Sequence, residues 1–260
     1  MTESILLRET RGQIRILTIN RPERSNAMSP ELTEQLIDAF VEGGADPEIR
    51  VIVLTAVGDR AFCAGADLKA RADVDAKGEV FQPLLSRVQR YIFEVVYETM
   101  KPTIAALNGT AVAGGCELAL ACDIRVAAEH AQMGLPEAKR GKGAHFGNVM
   151  LPRMIPPGIA FEMLYLGEYI GMEEARRWGM VNRVVPRGEA LNEALKMAEA
   201  ICENAPVTIR RMKETAVRAN GVPMPLALRL NEGISPYTSE DRVEGVRAYV
   251  EKRKPVWQGR

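Results

Sequence analysis

Histidine is nearly missing: two residues in a chain of 260. That excludes a histidine-rich metal centre, and no HExxH pair occurs. The four cysteines, Cys63, Cys116, Cys122 and Cys202, show no CxxC spacing and sit among apolar or small residues. They read as reduced, buried thiols and not as disulfides or zinc ligands. Net charge is also lacking, with Lys+Arg 34 against Asp+Glu 34. No electrostatic footprint for nucleic acid or an anionic membrane follows, and no Lys/Arg stripe is evident. No apolar run approaches the roughly 18 residues of a membrane span. Acidic charge in Met1 to Glu9 is wrong for a secretion signal. GxxxxGK[ST], GxGxxG and GxSxG are absent as well, which removes the P-loop, the dinucleotide fingerprint and the nucleophile elbow. The expectation is a soluble cytoplasmic enzyme with no metal, no cofactor of its own, no nucleic-acid partner and no membrane partner.

What the chain does have is a strand–turn–helix rhythm. Ile14–Asn20 alternates and is β-branched; Val51–Thr55 and Thr103–Leu107 are continuous apolar runs. Continuous runs of this length suit buried parallel strands. Ser29-Pro30 is an N-cap followed by proline, and Leu32, Leu36, Ile37, Phe40 and Val41 then keep helical period. Residues 70–79 read as a charged, glycine-containing loop, and helical period resumes from Pro83 to Val96. Asp123–Ala127 is a further strand. Beyond Pro156 the signals turn helical, through Ile159–Gly167, Met172–Trp178, Ala190–Ile201, a segment from Pro206 and a last helix capped by Ser239. The fold class is therefore α/β, with an all-helical final part.

Two glycine-containing segments carry the chemistry: Cys63-Ala64-Gly65-Ala66-Asp67 and Ala113-Gly114-Gly115-Cys116-Glu117. Backbone N–H groups at a helix start have no internal partner and point outward. Two such donors form an oxyanion hole, in which one donor is worth roughly 3–4 kcal/mol in a transition state. Glu117 stands in the first turn of the second segment. Glu137 follows twenty residues later, just after Pro136. Two carboxyls around one water can divide acid and base roles when their surroundings separate their pKa values. The same residues also fit a plain reading: a glycine turn into a core helix, with Glu117 complementing its dipole and Glu137 exposed after Pro136. Cys116 as a nucleophile at a helix start lacks a nearby histidine base.

The motifs Asn20-Arg-Pro-Glu, Asn26-Ala-Met28, Ala61-Phe-Cys-Ala-Gly-Ala-Asp-Leu68, Lys101-Pro to Cys122-Asp123, Pro136-Glu137 and Trp178–Pro186 occur in order. Together they resemble the crotonase superfamily, the enoyl-CoA hydratase/isomerase family, over nearly the whole chain. The resemblance implies a spiral of ββα units over residues 1–190. It also implies a helical part, 191–260, that joins copies into a trimer or a dimer of trimers. The substrate would be an acyl-CoA thioester, with coenzyme A arriving as part of that substrate. The oxyanion hole would be the N–H groups of Ala66 and Gly114, and the catalytic acids Glu117 and Glu137. Coenzyme A would run along Arg24, Ser25, Ala27, Ala64, Gly65, Asp67 and Leu68. Lys252 would reach its phosphates, from a neighbouring copy. The expected activity is addition of water to an enoyl-CoA, or its reversal. Isomerisation, hydration with C–C cleavage and hydrolysis remain open on the same scaffold.

One departure stands out. After the second glutamate the family commonly has a glycine-rich run, and here His145 and Asn148 stand at two of its glycine positions and Val149 at its threonine. His145 is expected either to shape the pocket rim or to touch a functionalised acyl group.

Overall fold

The computed structural model of the chain describes residues 4–67, 90–230 and 233–260. The strands come in two kinds. Strands β1 (Leu6–Arg11), β2 (Ile14–Ile19), β3 (Val51–Ala56), β5 (Thr103–Leu107), β7 (Ile124–Ala128) and β10 (Arg183–Val185) form a six-stranded sheet in the order β1-β2-β3-β5-β7-β10. Strands β4 (Ala61–Cys63), β6 (Thr110–Val112), β8 (Gln132–Gly134) and β9 (Tyr169–Gly171) form a four-stranded sheet in that order.

The chain lays one strand in each sheet and then a helix, and repeats. β3 and β4 precede α2 (Ile92–Tyr97), β5 and β6 precede α3 (Gly114–Ala121), and β7 and β8 precede α4 (His145–Met154). Successive turns pair in parallel, β3 with β5 and β5 with β7 in one sheet, β4 with β6 and β6 with β8 in the other. This is the spiral of ββα units that the resemblance implied. Helix α1 (Pro30–Ala45) starts as its sequence predicts, with Ser29 Oγ accepting the Leu32 N–H at 3.2 Å.

β3 shows why its sequence is apolar throughout. Ile52 and Leu54 face one core with Leu36, Phe40 and Leu118, while Val51 and Val53 face a second core. Helix α7 (Ala190–Cys202) closes that second face with Ala190, Ala194, Leu195 and Ala198. A strand buried on both sides has no polar face to show. Helices α5 (Pro157–Leu166) and α6 (Met172–Arg177) follow the spiral. Helices α8 (Pro206–Arg218), α9 (Met224–Ala227) and α10 (Glu240–Val250) then complete the chain, leaving Met212, Leu228, Tyr237 and Tyr249 exposed. The anticipated loop at 70–79, and the part of the anticipated helix before Tyr91, lie outside the described residues.

One close approach seats α3 and another seats the turn between β5 and β6. A methyl group on Gly115 would lie 2.0 Å from the Cys63 carbonyl oxygen, and one on Gly109 would lie 2.5 Å from the Ala61 nitrogen. Both collisions are with backbone, which cannot rotate away as a side-chain tip can. Gly115→Ala should therefore cost about 3 kcal/mol or more by overpacking. Gly158, in α5, has nothing within 4 Å of a built methyl, and Gly158→Ala should be neutral or stabilising by up to about 1 kcal/mol. Urea denaturation of the two variants checks both signs.

Candidate active site

The site begins at the entry to α3. Ala113, its N-cap, holds φ 52° and ψ −131°, a left-handed conformation unusual for alanine. Its N–H is anchored to the Gly134 carbonyl at 2.9 Å, which ties the helix start to β8. Gly65, at φ +84°, sits directly against it. A methyl on Gly65 would come within 2.9 Å of Ala113 Cβ and 3.1 Å of the Gly114 nitrogen. The segments around residues 65 and 114 are thus in contact.

Ala66 forms a single parallel bridge with Met28. Met28 N–H donates to Gly65 O at 2.8 Å, and Asp67 N–H donates to Met28 O at 3.0 Å. A parallel bridge of this kind uses the groups on either side of Ala66, so the N–H of Ala66 itself points away from Met28. Ala66 is exposed. Gly114 is the first residue of α3, where an N–H has no acceptor within the helix.

The loop that precedes Met28 is braced to the same segment. Ala64 N–H donates to Ser25 O at 3.1 Å, and Ser25 holds φ 50°. Arg21 pairs with Asp67 at 3.1 Å, both side chains mostly buried, and also donates to the Ala27 carbonyl. Asn26 is buried and ties the loop down. Its Oδ1 accepts the Arg21 N–H at 3.0 Å, and its Nδ2 donates to Val57 O at 3.0 Å and Ala61 O at 2.7 Å. Arg24, Ser25, Ala27, Ala64, Gly65, Ala66 and Asp67 therefore belong to one connected patch, with Arg24 exposed on its surface. Leu68 lies outside the described residues. Arg21 and Asn26 are the organisers that sequence reasoning did not single out, although both lie within the quoted motifs.

Glu117 is buried, 5% exposed, and its Oε1 accepts the Gly147 N–H at 2.8 Å. Burial pushes its carboxyl up to about 7 against the pull of the Gly147 N–H; the neighbouring Glu137 charge adds to the rise, and the Phe146 N–H opposes it. Glu137 lies in a 3-10 turn, Pro136–Arg140, and is half-buried. Burial raises its pKa too, opposed by a backbone hydrogen bond within Glu137 and by Arg140. Its Oε2 is buried and meets no hydrogen-bond donor among the described residues. A buried oxygen of this kind is a point at which a water or a reacting group can be received. Glu137 is thus near enough for its charge to bear on Glu117, and burial raises both carboxyls.

His145 is exposed and opens α4, two residues before Gly147. Phe146, between them, packs on Phe93 at 5.9 Å and Tyr97 at 6.1 Å between ring centroids. The Phe93 ring in turn reaches within 3.5 Å of where a methyl on Gly114 would stand. Lys252 is exposed beyond α10 at φ 54°, and among the described residues no side-chain hydrogen bond or ion pair joins it to this patch. Cys116 is fully buried and its thiol is raised well above the ordinary range, chiefly by burial. That disposes of it as a nucleophile. No group of three or more potential metal ligands occurs among the described residues. No helix of the described residues is long and apolar enough to cross a membrane.

A family model described as enoyl-CoA hydratase/isomerase matches residues 9–260. A relative described as carnitinyl-CoA dehydratase, from Escherichia coli strain K12, is 39% identical over 267 residues, covering 100% of both chains. One of the same description from Salmonella paratyphi B is 40% identical over 267 residues, again with 100% coverage of both. Among solved structures, an enoyl-CoA hydratase from Bacillus anthracis matches with TM-score 0.89 and 34% identity, covering 99% of this chain and 100% of that one. An enoyl-CoA hydratase from Mycobacterium tuberculosis matches with TM-score 0.89 and 36% identity, at the same coverage.

The raised Glu117 pKa has a consequence for stability. The folded-state value, about 7, lies above the ordinary value of 4.5. Its favourable contribution is therefore fully present below about pH 4.5 and is lost as pH rises through about 7. Glu117→Gln keeps an oxygen for the Gly147 N–H and cannot ionise. Its stability relative to the parent should rise between about pH 5 and pH 8, by up to about 3 kcal/mol. Thermal unfolding across that range reads the difference, and a pH-independent difference rules the buried acid out.

Proposed function

The chain belongs to the enoyl-CoA hydratase/isomerase family of the crotonase superfamily, and from that premise we propose that it is an acyl-CoA hydratase or dehydratase. It is an enzyme of the hydratase-type lyases, and the family acts on acyl-CoA thioesters. The observation that carries the finer reading is the pairing of a buried Glu117, its pKa raised to about 7, with Glu137, whose buried oxygen meets no hydrogen-bond donor among the described residues.

In this reading the thioester oxygen is held by the N–H groups of Ala66 and Gly114. Water adds to the β-carbon of an α,β-unsaturated thioester only when the enolate oxygen that develops is stabilised, and two fixed donors supply that. Glu117, as carboxylate, takes a proton from the water as its oxygen bonds to the β-carbon. Glu137, as acid, delivers a proton to the α-carbon as the enolate collapses. Dehydration runs the same steps backwards with the roles exchanged. No bound metal or cofactor enters these steps. Coenzyme A lies along Arg24, Ser25, Ala27, Ala64, Gly65, Asp67 and Leu68, largely through backbone groups. The exposed apolar residues of α8–α10 support a helical part, 191–260, that joins copies into a trimer or a dimer of trimers. Lys252 then meets the coenzyme A phosphates of a neighbouring copy. The relatives that act on carnitinyl-CoA, and the exposed His145 at the start of α4, favour a functionalised acyl group over a plain alkyl chain.

Glu117→Gln and Glu137→Gln should each lower turnover roughly a hundredfold or more while leaving thioester binding, read by calorimetry, little changed. Full activity in either variant ends the reading. Hydration by the parent should rise with pH through about 7 as Glu117 loses its proton, and dehydration, which draws on the same singly protonated pair, should show the same acid limb. Mass spectrometry over straight-chain, branched, aromatic and carnitinyl thioesters distinguishes the chemistry. Gain or loss of one water marks hydratase or dehydratase, unchanged mass with shifted absorbance marks isomerisation, and free coenzyme A marks hydrolysis.

A further inference from the structure

We propose that Gly147 is the positioning residue of the acid pair, through both its peptide N–H and its missing side chain. This rests on the reading of Glu117 and Glu137 given above and deepens it. Helix α4 is ten residues long, and its first internal hydrogen bond is Asn148 N–H to Ala144 O at 2.6 Å. The N–H groups before Asn148 have no acceptor within the helix. That of Gly147 is spent on Glu117 Oε1 at 2.8 Å, in a place where Glu117 is 5% exposed. The helix start also adds positive potential, which favours a carboxylate there.

The other half of the argument is steric. A methyl on Gly147 would lie 2.7 Å from Leu135 Cδ1, and 3.4 Å from both Leu135 Cδ2 and Ala144 Cβ. Leu135 is fully buried and has little room to yield. It is also the residue that leads through Pro136 into the turn bearing Glu137. One glycine therefore touches Glu117 and, two residues before Glu137, the side chain of Leu135. Its N–H holds Glu117 directly, and its bare α-carbon lets Leu135 carry Glu137 into place. Among the described residues, the charges that act on the pair are Glu137 on Glu117 and Arg140 on Glu137.

The test separates the two contributions in the full-length protein. Replacing Gly147 by glycolic acid, a backbone ester, removes the N–H and adds no bulk. Gly147→Ala keeps the N–H and adds the methyl; Gly147→Ala with Leu135→Val makes room for it. Two readouts are taken for each. One is the titration of Glu117 by carbon-13 NMR of carboxyl-labelled glutamate, its signal identified by its loss in Glu117→Gln. The other is the pH–rate profile of enoyl-CoA hydration. Loss of one hydrogen bond to a carboxylate should raise the Glu117 pKa by roughly one to two units in the ester, and the acid limb should move with it. Gly147→Ala should lower kcat roughly tenfold or more with KM little changed, and Leu135→Val should restore most of it. An ester protein whose Glu117 titration stays in place overturns the proposal, as does a failure of Leu135→Val to rescue a folded Gly147→Ala. Should Gly147→Ala fail to fold, the ester alone decides; should the ester fail, the rescue decides. A shifted titration without turnover on any thioester leaves the positioning role standing and removes the hydratase reading instead.

Discussion

The first turn of α3 rests on the backbone of β4 at a separation that no methyl group could enter, and the site follows from that contact. Because Gly115 lies against the Cys63 carbonyl, Gly114, whose N–H has no acceptor within the helix, is brought against the Gly65 segment. The same seating buries Glu117, one helical turn on, where its carboxyl meets the Gly147 N–H. Hydrophobic burial of α3 supplies the general attraction, since Cys116, Leu118, Ala119 and Leu120 are all buried. Attraction without direction would not fix a helix to within a fraction of an ångström. The backbone contact does, and the left-handed Ala113 is the strain accepted for it, of order 1–3 kcal/mol at such positions.

Placing a carboxyl in this interior has an electrostatic cost, and the structure spends it usefully. A carboxylate ionises reluctantly where water is scarce, so burial raises both pKa values, and the Glu137 charge adds to the rise at Glu117. Backbone dipoles from α4 offset part of the cost at Glu117, and Arg140 offsets part at Glu137. Both carboxyls are thereby left above their ordinary pKa, burial outweighing the groups that oppose it.

How much of this could be read from the chain depended on how each feature writes itself into residue types. The large sheet is legible because Val51–Ala56 and Thr103–Leu107 are buried on both faces and must be apolar throughout. The small sheet is not, because three-residue strands such as Ala61–Cys63 and Thr110–Val112 have no room for a period to show. β1 escapes notice for another reason: as an edge strand it buries only Leu6 of its six residues. At the site, Glu117, Glu137 and the two glycine segments stand out as residue types, and the family resemblance put them in order. The brace from Arg21 to Asp67 and Ala27 needs the fold before it has meaning. The Gly147 N–H is harder still, since every residue but proline carries such a donor and nothing in a one-letter code says where it points.

The alternation of strands between two sheets has an effect beyond geometry. Each coil of the spiral presses on the one before it and the one after it, and the residues gathered at the centre come from three different coils: Gly65 from the first, Gly114 and Glu117 from the second, Glu137 and Gly147 from the third. A partly melted molecule that loses any one coil loses a wall of the candidate site. Such a scaffold has no half-working form, so its inactivation by heat should be as abrupt as its loss of structure.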